Sequence, residues 1–170
     1  MSFLASMLLL NLDPFDGFKA LCNILNRKCH MAFFQMDMIK IKGYKETFKA
    51  LFSEFIPALF SHMEKLSIDP DLFLFDWILT LFARSLPLEF ACRIWDCYFL
   101  QGEVYLFKTA LGILKTLEKR LIGQTFDVIC FDLTHLPPME EKEFFKNINS
   151  LLLTEKKYEM TVSKFLPKIK

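Results

Sequence analysis

The 170-residue chain is 53% apolar, contains 20 Phe and 5 Gly, and carries a formal net charge of +1. An apolar fraction of this size with so little glycine excludes disordered, collagen-like and low-complexity chains, and the length suffices for one domain with a buried core. The balanced charge gives no electrostatic reason to expect nucleic acid as a partner.

Three helices are predicted in the first third of the chain. Residues 1–12 are apolar, but they lack a basic segment and a cleavage site and are too short to cross a bilayer, so we expect a buried helix. Asp13 followed by proline is typical of a helix start and predicts a helix over 14–26. Apolar residues at helical spacing predict another over 43–56, which Pro57 ends or kinks.

The most apolar helix is predicted over residues 70–84, after Asp69. Apolar side chains cover almost all of its surface, as is typical of a helix that packs among other helices. The exception is a polar stripe on one face, formed by Asp76, Thr80 and Arg84. We interpret the stripe as a candidate partner-binding surface, with a polar contact between helices as the alternative.

Proline and glycine mark the helices predicted in the second half of the chain. Four helices are expected there, over about 87–100, 103–121, 125–133 and 139–153. The pattern of 125–133 also fits a strand, and its helical neighbours decide for a helix. Since no repeat or long linker interrupts the chain, residues 1–170 are interpreted as one all-α unit of about seven to nine helices.

The sequence contains no recognisable catalytic or metal-binding motif. Five cysteines, an odd number without a scaffold-like spacing, are interpreted as cytosolic thiols. Three scattered histidines do not predict a metal site or a catalytic triad. No glycine-rich phosphate loop or hydrolase motif is found. We therefore predict no cofactor, no metal and no catalytic residue.

The densest diagnostic block lies between Asp69 and Lys115. It contains three ordered motifs: Asp76-Trp77-Ile78-Leu79-Thr80-Leu81, Leu86-Pro87-Leu88 and Arg93-Ile94-Trp95-Asp96. With this block the chain resembles the C-terminal half of a TBC domain, the helical module of Rab GTPase-activating proteins. The resemblance covers about residues 1–135, with its core match at about 57–118. The helical tail over 138–170 is less diagnostic.

The resemblance implies two catalytic residues that this chain lacks. In the family, an arginine from Ile-x-x-Asp-x-x-Arg and a glutamine from Tyr-x-Gln enter the nucleotide site of the Rab. None of the four arginines here follows an isoleucine and an aspartate at that spacing, and Tyr98 precedes Gln101 by one position too many. The family's Tyr-x-Gln leads into Gly-Met-Ser-Phe, and the chain begins Met-Ser-Phe, so the glutamine would precede residue 1.

The missing motifs predict that the chain alone does not activate a GTPase and is not an enzyme. An arginine finger is worth about 10³ to 10⁵ in rate. The partner that the resemblance implies is a GTP-bound Rab, and the implied process is the regulation of vesicle trafficking. The resemblance also implies a cytoplasmic protein that its partners recruit to endomembranes. Two alternatives stay open: a helical scaffold that contacts no GTPase, and a piece of a longer protein to which the activity belongs.

The resemblance also carries an expectation about stability. A TBC domain without its N-terminal half would expose apolar surface on residues 1–12 and on the helix over 70–84. Apolar patches above a few hundred Å² mark interfaces or aggregation risks. We therefore expect a chain that is marginally stable, self-associates or needs a partner.

Overall fold

The computed structural model describes residues 2–166, which contain eleven α-helices and no strand. The predicted all-α class is confirmed. The helices are α1 (Ser2–Asn11), α2 (Pro14–Leu25), α3 (Lys28–Phe34), α4 (Met38–Phe55), α5 (Pro57–Lys65), α6 (Asp71–Thr80), α7 (Leu88–Gln101), α8 (Glu103–Leu121), α9 (Phe126–Thr134), α10 (Glu141–Ser150) and α11 (Glu155–Phe165). They outnumber the seven to nine predicted, because α3, α5 and α11 are separate helices that the pattern did not resolve.

Helix starts follow the predicted capping chemistry. The Asp13 carboxylate accepts hydrogen bonds from the backbone N–H groups of Phe15 and Asp16, at 3.0 and 3.2 Å. These bonds satisfy amides that the first turn of a helix leaves without partners. Between α7 and α8 the chain turns at Gly102, whose φ of 73° favours glycine.

Three helices end in a left-handed residue that is not glycine. Met36, Ser67 and Leu81 have φ values of 54°, 57° and 47° and follow α3, α5 and α6. At the end of α6, the backbone N–H of Phe82, the residue after Leu81, donates to the carbonyl of Trp77 at 3.0 Å and so closes the last turn of the helix. The predicted helix over 70–84 is therefore wrong at its C-terminal end, since α6 stops at Thr80.

The core is built around α8, whose buried residues lie on every side of the helix. α10 packs closely against it, because a Cβ at Gly112 would overlap the side chain of Ile148. On another side, Phe107 of α8 lies against Phe48 of α4, with ring centroids 6.3 Å apart. Full burial of such a side chain stabilises the fold by about 1.5 to 3 kcal/mol.

The N-terminal helices α1 and α2 leave a set of large apolar side chains exposed. Their exposed fractions lie between 41% and 68%, and the residues are Phe3, Leu9, Leu10, Leu12, Phe15 and Phe18. We call this set the α1–α2 apolar surface. Leu4, Met7 and Leu8 of α1 are buried, so the predicted N-terminal helix is confirmed but only one side of it is covered.

The helix over 70–84 behaves differently from the expectation of an exposed apolar surface. Phe73, Trp77 and Ile78 of α6 are each 1% exposed. The expectation is wrong for these side chains, because α3, α8 and α9 pack against α6 and cover it. Within residues 2–166, no helix has both the length and the apolar character needed to cross a membrane.

Candidate partner-binding site

The three residues of the predicted polar stripe meet around Asp76, but not as a helical stripe. The guanidinium of Arg84 donates to Asp76 Oδ1 at 2.9 Å. The hydroxyl of Thr80 donates to the backbone carbonyl of Asp76 at 2.8 Å. Because α6 ends at Thr80, Arg84 lies beyond the helix and reaches back to the carboxylate from the following turns.

The turn after α6 determines where Arg84 lies. Leu81 and Phe82 both adopt left-handed backbone, with φ of 47° and 63°, and both side chains are buried. Such conformations are costly for bulky residues and persist only where the surrounding structure holds them. Here the indole N–H of Trp95 in α7 donates to the Leu81 carbonyl at 3.0 Å. The turn is therefore fixed by α7.

Only part of this cluster is available to a partner. The side chains of Arg84 and Asp76 are 62% and 38% exposed, whereas Thr80 is 8% exposed. An exposed ion pair adds roughly 0 to 1 kcal/mol to stability, so packing of the fold does not depend on it. The pair presents a carboxylate and guanidinium donors at the surface, which suits recognition of a polar partner.

Ser85 is a member of this cluster that sequence reasoning missed. Its hydroxyl lies 3.4 Å from Asp76 Oδ2. No sequence signal could have found it, because the nine-residue separation fits neither helical nor strand spacing. The turn after α6 brings the two residues together.

Two of the other three arginines, Arg93 and Arg120, hold structural contacts. Arg93 bonds to Glu141 and lies 3.9 Å above the ring centroid of Phe145, which joins α7 to α10. The spacing of the Arg93-Ile94-Trp95-Asp96 motif would also allow an ion pair between Arg93 and Asp96 within α7. Arg93 pairs with Glu141 of α10 instead. Arg120 makes two bonds to the buried carboxylate of Asp132, at 2.6 and 2.9 Å, and joins α8 to α9.

The residues described in the structure do not assemble a metal site. No group of three His, Cys, Asp or Glu side chains among them is placed to hold an ion. The five cysteines are all free thiols. His30 is buried, with Nδ1 3.2 Å from the hydroxyl of Tyr98.

Comparison with known proteins identifies the family. A family model for the Rab-GTPase-TBC domain matches residues 1–122. TBC1 domain family member 14 of Homo sapiens is 45% identical over 152 residues, which is 89% of this chain and 22% of that protein. TBC1 domain family member 12 of Xenopus tropicalis is 47% identical over 137 residues, covering 81% of this chain and 20% of that protein.

A more distant relative aligns over almost the entire chain. Drainin of Dictyostelium discoideum is 36% identical over 167 residues, which is 96% of this chain and 38% of that protein. The chain thus spans about a fifth of the length of its TBC1 relatives. The predicted resemblance is confirmed: the chain belongs to the Rab-GTPase-TBC domain family.

Proposed function

We propose that this chain binds a GTP-loaded Rab without accelerating its GTP hydrolysis, as a Rab-recognition module in the regulation of vesicle trafficking. Membership of the Rab-GTPase-TBC family supports the choice of partner. The absence of Ile-x-x-Asp-x-x-Arg and Tyr-x-Gln from the sequence supports the lack of catalysis. A cytoplasmic protein that partners recruit to endomembranes fits this role.

The Asp76–Arg84 pair is our candidate for part of the Rab-facing surface. The fold depends little on this exposed pair, and most of the Arg84 side chain is exposed. A guanidinium has five donors in a fixed fork, and the 2.9 Å bond to Asp76 uses one of them. With 62% of the side chain exposed, the remaining donors are accessible to a carboxylate or carbonyl of a partner.

Single-turnover hydrolysis by a panel of GTP-loaded Rabs, with this chain in large excess, tests the proposal. We expect binding to the GTP form of at least one Rab, weaker binding to its GDP form, and hydrolysis at the intrinsic rate. An arginine finger typically raises the rate of GTP hydrolysis by a factor of about 10³ to 10⁵. Stimulation of that order by this chain alone would disprove the catalytic half of the proposal.

Arginine variants separate the candidate surface from the rest of the molecule. Arg84→Ala should weaken binding about tenfold, as loss of one charged contact at an interface typically does. Arg93→Ala is the matched control, since Arg93 is a similarly exposed arginine with a carboxylate partner. If the two variants bind equally well, the Asp76–Arg84 pair is not part of the Rab-facing surface.

A second candidate function is a helical scaffold that contacts no GTPase. The α1–α2 apolar surface favours it, because exposed apolar patches of this kind mark protein interfaces. The same Rab panel separates the two functions. Failure of every GTP-loaded Rab to bind, with a folded chain, would favour the scaffold.

A further inference from the structure

An open cavity lies where four separate parts of the chain meet. Its volume is about 680 Å³, which is within the range of ligand sites in proteins. The walls come from residues 26–28 at the α2–α3 junction, from Tyr44 of α4, from residues 101–104 at the α7–α8 junction, and from one side of α11. Neither the proposed Rab contact nor the Asp76 cluster involves these residues.

A carboxylate, that of Glu103, lies in the wall of this cavity. Gly102 allows the sharp turn that begins α8 with Glu103, which is half-buried. Glu103 Oε1 accepts the backbone N–H of Cys29 at 2.8 Å, and Oε2 accepts the hydroxyl of Tyr158 at 3.3 Å. The two contacts hold the carboxylate in one orientation.

One of these contacts has a purely structural explanation. α3 begins after Arg27, which provides no side-chain cap, and Glu103 supplies the missing acceptor to the Cys29 amide. Capping of α3 therefore explains the contact made by one oxygen of the Glu103 carboxylate, Oε1. A carboxylate has about four acceptor positions, so Glu103 retains capacity to accept further hydrogen bonds from the cavity.

Glu103 lacks a cationic partner within the described part of the chain. Among residues 2–166, no Lys or Arg nitrogen lies within 4.0 Å of its carboxylate. Burial raises the pKa of the Glu103 carboxyl above its ordinary value, while the Cys29 amide, the Tyr158 hydroxyl and the more distant charges of Arg27 and Lys28 oppose that change. A half-buried carboxylate without a cation in direct contact is unfavourable, and a cation that enters the cavity and contacts Glu103 would lessen this penalty.

The rest of the lining also suits a long cationic side chain. Tyr44 and Tyr158 are 1% and 5% exposed and provide aromatic walls. Val162 and Leu166 add apolar surface, against which the methylene stem of a lysine or arginine packs well. The rim carries charges of both signs, Arg27 and Lys28 on one side and Glu155 and Glu159 on α11.

We propose that this cavity binds a lysine or arginine side chain of a peptide partner, with the Glu103 carboxylate as the partner of its cation. The apolar wall holds the stem of the side chain. Arg27 and Lys28 at the rim favour a peptide whose residues beside the basic one are acidic or neutral. The site shares no residue with the Asp76–Arg84 pair.

A pair of isosteric peptides tests the site. Acetyl-Gly-Arg-Gly-amide is titrated into the ¹⁵N-labelled chain, and the same peptide with citrulline in place of arginine is the neutral control. We expect the arginine peptide to shift the amides of Cys29, Glu103 and Tyr158 in a saturable way, and citrulline to bind at least tenfold more weakly. Equal shifts with both peptides, or no shifts, would overturn the proposal.

Variants of the chain complete the test. Glu103→Gln keeps an acceptor for the Cys29 amide but removes the charge, and should weaken arginine-peptide binding at least tenfold. Glu89→Gln, at an exposed position of α7 away from the cavity, should bind as the unmodified chain does. If Glu103→Gln does not fold, Ser163→Trp at the exposed rim should block the cavity and abolish the shifts. Unchanged binding by either of the two cavity variants overturns the proposal.

Discussion

His30 is the buried residue whose environment is least complete. Its side chain is fully buried, and Nε2 has no hydrogen-bond partner among the described residues. The pKa of His30 is lowered to about 4, mainly by burial and in part by the charge of Arg27, while the nearby Ile78 carbonyl acts in the opposite direction. His30 is therefore neutral in the folded chain at physiological pH, and protonation of its ring is unfavourable there.

We expect His30 to make the fold sensitive to mild acid. An unfolded histidine has a pKa of about 6.5, so between pH 6.5 and about 4 the unfolded chain binds a proton that the folded chain does not. Stability is complete above pH 6.5 and falls as the pH drops through this window, by about 2 kcal/mol at pH 5. Urea unfolding at pH 7 and pH 5 measures the loss.

Two histidine variants test whether His30 causes this loss of stability at low pH. His30→Gln should remove most of the difference in stability between the two pH values, although it lowers stability at pH 7 by disturbing the contact with Tyr98. His135→Gln shows whether losing a surface histidine has the same effect. If His30→Gln keeps the full loss at pH 5, His30 is not its source.

At the scale of elements, the closest packing is between α8 and α10. Gly112 lies where α10 crosses α8. A Cβ at that position would lie 2.3 Å from Ile148 Cγ1, which is an overlap, and 3.3 Å from Ile148 Cα, which is a tight contact. The position therefore needs glycine for helix packing and not for backbone conformation. Sequence inspection does not distinguish this glycine from one at a helix end.

Gly112→Ala should destabilise the chain. Overpacking typically costs about 1 to 3 kcal/mol, which outweighs the gain in helix propensity of about 1 kcal/mol. The free energy of unfolding from urea denaturation measures the effect. Gly17→Ala in α2 is the matched control, because its nearest neighbour, Leu9 Cδ2, lies at an ordinary 3.5 Å. The control should be neutral or stabilising, and an equal loss in both variants would contradict the packing argument.

For the whole molecule, one uncovered feature is the α1–α2 apolar surface, whose residues lie on two helices that pack against each other and on their connection. At the observed exposures each of its six side chains offers on the order of 100 Å², so together they offer about 600 Å². A standard interface buries about 800 Å² per partner. A second copy of the chain could cover this surface by symmetric pairing.

We therefore expect the chain to self-associate at micromolar concentration. Phe15→Glu with Phe18→Glu should shift the sedimentation equilibrium towards monomer, since both rings are more than 60% exposed. Leu100→Glu is the control, because Leu100 is 85% exposed but lies on α7. A monomeric chain with a sharp two-state thermal transition would contradict both the self-association and the expected marginal stability.

Sequence patterns predicted the helices that carry explicit boundary residues. α7 and α8 lie almost where Pro87 and Gly102 placed them. α3 was missed because the residue at its start, Arg27, provides no side-chain cap, and its end uses Met36 in a left-handed conformation, where glycine is the expected signal. α11 carried a usable signal in the Thr154 cap and in the apolar spacing from Tyr158 to Val162, which was not recognised.

The candidate site was less predictable than the fold. Helical spacing brought Asp76 and Thr80 together correctly, since both lie in α6. It placed Arg84 on the same helix, whereas a bond from Trp95 of α7 holds the turn that ends α6. A contact of this kind depends on tertiary structure, and no local pattern encodes it. The Glu103 cavity was missed for the same reason.

The position of Trp95 has a practical consequence for spectroscopy. The chain has two tryptophans, Trp77 in α6 and Trp95 in α7, and both are buried beside the turn that joins these helices. Intrinsic fluorescence therefore reports on this junction and not on α1, α2 or α11. Fraying of those outer helices would lower the circular dichroism signal while the emission spectrum stays unchanged, so the two signals together reveal whether the molecule opens in stages.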